Sequence, residues 1–168
     1  MDASFKTWLR SVPVSKMAYP ETPLEKLEYF LWLILGPLHP YVRNVLGYLG
    51  YIKKYDKYRP NGRQRFLLGR LAPGVTPQML GDYLVSKGYG KHFVALKDGG
   101  ELFGFRYSPD FEHQYHIRAF SDGEVRGHYE YTVEAHPFRH DKEVGFEERR
   151  DYFLKLLEGK IIPAPQTS

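Results

Sequence analysis

A chain of 168 residues with 42% apolar and 26% charged residues is long enough to bury a core and too apolar to stay disordered. It contains no cysteine, which excludes disulfides, thiolate nucleophiles and zinc or iron–sulfur centres held by cysteine. Net charge is +4, but residues 51–70 hold Lys53, Lys54, Lys57, Arg59, Arg63, Arg65 and Arg70 against Asp56 alone, so that window carries +6 and the rest of the chain −2. Such asymmetry points to an anionic partner for one region.

No stretch near Met1 has the charged-then-apolar layout of a signal peptide. The longest apolar run, Tyr29 to Leu35, falls far short of the ~20 residues that cross a bilayer. The expectation is a soluble, cytoplasmic protein with no membrane partner.

Residues 1–21 read as an irregular arm with at most one short helical turn. Thr22-Pro23-Leu24-Glu25 then starts a helix: Thr22 caps, Pro23 suits the first turn, and Glu25 completes a capping box. This helix is predicted over residues 23–35. Its second half is apolar all round, as expected of a helix buried in a fold or docked on a partner chain, so a homo-oligomer through residues 23–35 is one expectation. A second helix is predicted from Pro40 to Tyr55, with Tyr41, Tyr48, Tyr51 and Tyr55 beside its apolar stripe, either as a core edge or as a stacking platform.

The turn cluster Tyr58-Arg59-Pro60-Asn61-Gly62 suggests a boundary between a helical segment, 1–62, and an α+β part, 63–168. A short helix is expected over 63–71. Another is expected from Thr76-Pro77 to Gly88, with Met79, Leu80, Tyr83 and Leu84 inward. With a hairpin following, residues 63–107 resemble in their order the end of a winged-helix module, the hairpin standing as the wing.

From Lys91 the period changes to alternation, with turns at Asp98-Gly99-Gly100, Ser108-Pro109-Asp110 and Ser121-Asp122-Gly123. A four-stranded antiparallel meander follows from this, and a last helix is predicted over about 146–158. The fold class is therefore α+β, with helices against one face of the meander and the other face at least partly wet.

The last hairpin, His113–Tyr131, fixes its own register. A two-residue Asp122-Gly123 loop would mix polar and apolar residues on both faces. A three-residue loop with Gly123 left-handed separates them. Tyr115, Ile117, Ala119, Val125, Gly127, Tyr129 and Tyr131 then share one face, and Gln114, His116, Arg118, Phe120, Glu124, Arg126, His128 and Glu130 the other. His116 stands opposite His128 and Arg118 opposite Arg126. That face is either solvated, with internal ion pairs to Glu124 and Glu130, or a platform for an anion.

Three functions compete on this reading. The first is a nucleic-acid or phosphate-ligand binding module using Lys53, Lys54, Lys57, Arg59, Arg63, Arg65, Arg70, His116, Arg118 and Arg126. The second is a metal-dependent hydrolytic enzyme holding a zinc-like divalent ion with His128, His136 and His140, near Glu134 and Asp141. The third is an assembly protein docking through residues 23–35. Nucleophilic catalysis has little support, with Ser108, Ser121 and Thr132 in turns or at strand ends and no Gly-x-Ser-x-Gly elbow. Phosphate loops and dinucleotide fingerprints are absent from the sequence, and nothing singles out Glu130 and Glu134 as an acid–base pair.

Overall fold

The computed structural model describes residues 2–16, 20–38, 41–42, 45, 66–91, 98–135 and 146–165. They form an α+β fold around one six-stranded sheet. The strands are β1 (Phe66–Leu71), β2 (Gly90–Lys91), β3 (Glu101–Tyr107), β4 (His113–Phe120), β5 (Glu124–Tyr131) and β6 (Ile161–Pro163), and the helices α1 (Ala3–Ser11), α2 (Pro23–Leu35), α3 (Pro77–Ser86) and α4 (Phe146–Leu156). The strand order is β2-β3-β4-β5-β1-β6 with all neighbours antiparallel. Of the meander expected from the turns, β3, β4 and β5 are described, with β1 and β6 added beyond β5. The expected first strand is described only at Lys91 in β2, and residues 92–97 lie outside the described residues.

The stretch expected to be a helix over 63–71 is a strand where it is described. Phe66-Leu67-Leu68-Gly69-Arg70-Leu71 is a short apolar run, and periodicity alone does not separate a buried strand from a helix at that length. Gly69 favours the strand for a steric reason: a Cβ there would stand 2.2 Å from the Ile162 carbonyl oxygen of β6. The winged-helix likeness falls with that helix. The arm before residue 21 is also more regular than expected. Asp2 caps α1 with its side chain, and Trp8 packs on Gly81 of α3 and on Phe105.

The capping box of α2 forms as read, Thr22 and Glu25 each accepting the other's backbone N–H. Its Leu24, Leu27, Phe30, Leu31, Leu33, Ile34 and Leu35 are exposed, so α2 is not a core helix of this fold. In α3 the residues Leu80 and Leu84 are buried, but Met79 is exposed, contrary to expectation. The expected helix over 40–55 and the proposed boundary at 58–62 lie almost wholly outside the described residues.

One face of the sheet carries the apolar core. Phe103, Phe105, Ile117, Ala119 and Val125 meet Leu80 and Leu84 of α3, Phe153 of α4 and Leu157 just after it, all at most 1% exposed. At one end the core grades into tyrosines: Tyr115 lies 4.6 Å from Tyr129 and 4.3 Å from Tyr152, and the Tyr89 and Tyr152 hydroxyls are 3.5 Å apart. Burial raises the phenol pKa of Tyr89 well above its ordinary 10.0, and raises Tyr115, Tyr129 and Tyr152 as well. The sign follows from proton counting. Above pH 10 the unfolded chain loses phenolic protons that the native state keeps, so their stabilisation is complete below that pH and fades as pH rises. The urea midpoint is expected to fall as pH rises above about 10, with the phenolate absorbance of these four tyrosines appearing only as unfolding proceeds. Full phenolate absorbance in the folded protein would contradict this.

Candidate metal centre on the polar face

The hairpin of β4 and β5 takes the three-residue register. Gly123 has φ 85°, its N–H donates to the Phe120 carbonyl at 3.0 Å, and His116 pairs with His128 and Arg118 with Arg126. The division of faces is as the alternation implies, but the polar face is not wet. Gln114, His116, Arg118, Phe120, His128 and Glu130 are between 1% and 3% exposed.

Charges so deeply buried must be compensated inside the protein. Arg118 Nη1 lies 2.5 Å from Glu101 Oε2 and 3.9 Å from Asp98 Oδ2. Gly104, opposite Arg118, leaves room for that pair, since a Cβ there would stand 2.7 Å from Glu101 Oε1. Arg126 Nη2 binds Glu124 Oε2 at 2.8 Å nearer the turn, where both are half-buried. Arg106 of β3 makes a two-pronged pair with Glu134, Nη2 to Oε1 at 2.9 Å and Nη1 to Oε2 at 3.2 Å. Glu134 is thereby the counterion of Arg106 and not half of an acid–base pair with Glu130.

Within this face His116, His128 and Glu130 converge. The imidazoles, held directly opposite by the register, stack with centroids 4.6 Å apart and planes 13° apart. Glu130 follows His128 by two residues, so the strand period returns it to the same face. Its Oε1 stands 3.3 Å from His128 Nε2 and 3.5 Å from His116 Nε2. One ligand atom from each of the three residues can be chosen so that all lie within 4.8 Å of one another. For bonds of about 2.0–2.1 Å, the edge of a zinc tetrahedron is about 3.3–3.4 Å. Two imidazole nitrogens and a carboxylate oxygen are also a donor set suited to zinc or ferrous iron.

Of the expected metal ligands, only His128 is among the described residues. His128 belongs to the cluster, with His116 and Glu130 as its companions; His136 and His140 lie outside the described residues. The signal for its two companions was present in the sequence, since His128 and Glu130, two apart on a strand opposite His116, place these three side chains on one face.

Of the residues assigned to polyanion binding, Lys53, Lys54, Lys57, Arg59, Arg63 and Arg65 lie outside the described residues. Arg70 is exposed on β1 and donates to the Asp122 carbonyl. His116 and Arg118 are buried at 2%, out of reach of a polynucleotide on the surface, and Arg126 is engaged with Glu124. The expected solvation of this face is corrected by its burial. Thr132, a hydroxyl in the same region, donates to the Phe111 carbonyl at 2.6 Å in a fully buried turn, a structural role. Among the described residues, no helix is long and apolar enough to cross a membrane. Comparison of the chain with protein-family models, with curated proteins and with solved structures finds no match.

Proposed function

We propose that the protein is a divalent-metal-dependent hydrolytic enzyme whose ion is held by His116, His128 and Glu130. The observation that carries this reading is the pair of separations at Glu130 Oε1, 3.3 and 3.5 Å, which match the edges of a zinc coordination tetrahedron. All three ligands project from one face of two adjacent strands, so they would hold an ion from one side. A bound ion of this kind lowers the pKa of a coordinated water to about 7 and polarises a carbonyl or phosphoryl oxygen. The chain supplies the rest: a rigid pair of strands to fix the ligands, and burial that keeps bulk water away.

The untagged protein is expected to carry close to one equivalent of zinc or a similar ion in elemental analysis. His116→Ala, His128→Ala and Glu130→Gln should each lose it, and a chelator should lower the melting temperature of the wild type. A wild type with no stoichiometric metal, and no stabilisation by added zinc, would overturn the reading.

The exposed apolar side of α2 favours a second property, self-association through residues 23–35. Sedimentation of wild type and a Leu27→Lys, Leu31→Lys double variant tests it; a monomeric wild type at high concentration excludes it.

A further inference from the structure

Gln114 stands opposite Glu130, the next pair on the same face beyond the histidines, and is 1% exposed. The two ends of its amide meet partners of opposite character. Its Oε1 accepts from Arg106 Nη1 at 3.0 Å, and its Nε2 donates to Glu130 Oε1 at 3.0 Å and to the Tyr131 carbonyl at 3.2 Å. A guanidinium can only donate, whereas an ionised carboxylate and a carbonyl only accept. Only one of the two amide orientations satisfies all three partners, so the chemistry of the neighbours selects it.

Arg106 is itself fixed on every side. Besides its two bonds to Glu134, its Nε donates to Ser15 Oγ at 2.6 Å. Ser15 is brought there by the segment 13–15, which pairs with Lys91 beside β2 and crosses close over Gly90. A continuous chain of hydrogen bonds therefore runs Ser15–Arg106–Gln114–Glu130, with Glu134 clamping its middle. It ends on the oxygen that lies nearest both histidine nitrogens.

We propose that Gln114 is a positioning residue: it holds Glu130 Oε1 in place as a metal ligand, and the Arg106–Glu134 pair sets its amide the right way round. This rests on the metal-centre reading above. A glutamate has three side-chain torsions, and two histidine neighbours on one flank do not fix its carboxylate. The bond from Gln114 Nε2 approaches Oε1 from the opposite rung and removes that freedom. Outer partners of this kind raise metal affinity by about 10–100-fold.

The test uses the full chain, metal-stripped, with zinc affinity measured against a chromogenic chelator and the visible spectrum of the cobalt-loaded protein recorded. Two variants are compared with wild type. Gln114→Met keeps the length and loses both amide functions. Gln114→Glu keeps the acceptor for Arg106 but can no longer donate to Glu130. Both are expected to bind zinc about 10–100-fold more weakly, with an altered cobalt spectrum. In both, the rise in melting temperature on adding zinc should shrink, whereas a merely structural residue would lower the melting temperature equally with and without metal. Wild-type affinity and spectrum in Gln114→Glu overturn the proposal even if Gln114→Met fails to fold. A wild type that binds neither zinc nor cobalt overturns the metal centre itself, and the positioning role with it.

Discussion

Replacing Arg118 with methionine is expected to destabilise the folded chain by about 3–5 kcal/mol, lowering its melting temperature on the order of 10 °C. The guanidinium is buried at 2% between Glu101 and Asp98, and methionine fills much of its volume without its charge. Glu101, itself 7% exposed with its side chain at 2%, would be left as a buried anion whose remaining described bond is from the Asp98 N–H. The companion variant Arg118→Met with Glu101→Gln separates lost charge from lost packing. It should recover more than half of the loss, because a buried pair is weak compared with the cost of breaking it. Chemical denaturation of the three proteins measures both quantities, and a single variant within about 1 kcal/mol of wild type would refute the argument. Arg118→Lys should also be costly, since a compact ammonium cannot reproduce the planar fork.

The other large effect belongs to the opposite face of the same strand. Ile117 is fully buried between Phe105 and Gly127 on the neighbouring strands. Ile117→Lys would put an ammonium into the apolar core with no carboxylate on that face to receive it among the core residues described. The cost of an unpaired buried charge approaches the whole stability of a typical domain, about 5–15 kcal/mol. The expected result is a chain without a cooperative melting transition, while Ser121→Lys in the exposed turn leaves the transition in place. A folded Ile117→Lys protein would mean that the faces of β4 are assigned the wrong way round.

These two neighbours mark what the sequence could and could not disclose. The register of the hairpin was legible because one shift, and only one, separates its apolar from its polar residues. The opposition of His116 and His128 followed from it without further information. The burial of the polar face did not follow, because alternation shows which residues share a face and not whether water reaches it. A compositional signal was nevertheless there: no lysine occurs between Lys97 and Lys142, while Arg106, Arg118, Arg126 and Arg139 do. Arginine is the cation of buried forks, and lysine the cation of wet surfaces. The strand β1 was missed for a different reason. Its partners are Gly127 to Glu124, distant in sequence, and β6 beyond them, and only that pairing distinguishes a six-residue, mostly apolar strand from a short helix. The counterion role of Glu134 depends likewise on a residue 28 positions away, Arg106.

The outermost strands of the described sheet have a consequence for how the protein behaves at high concentration. An open edge is a template on which a second chain can add a strand, and natural sheets blunt it. At the β1 side the last strand is β6, where Ala164 turns its N–H inward to Leu68. By alternation the nitrogen of Pro163 faces outward, where it has no hydrogen to offer. At the other side, the segment 13–15 lies along β2 by a parallel bridge between Val14 and Lys91, and it begins with Pro13. The border at β6 thus combines a very short run of pairing with a proline whose nitrogen faces outward. Both features oppose intermolecular strand addition and fibril growth there, from a position remote from the buried histidines.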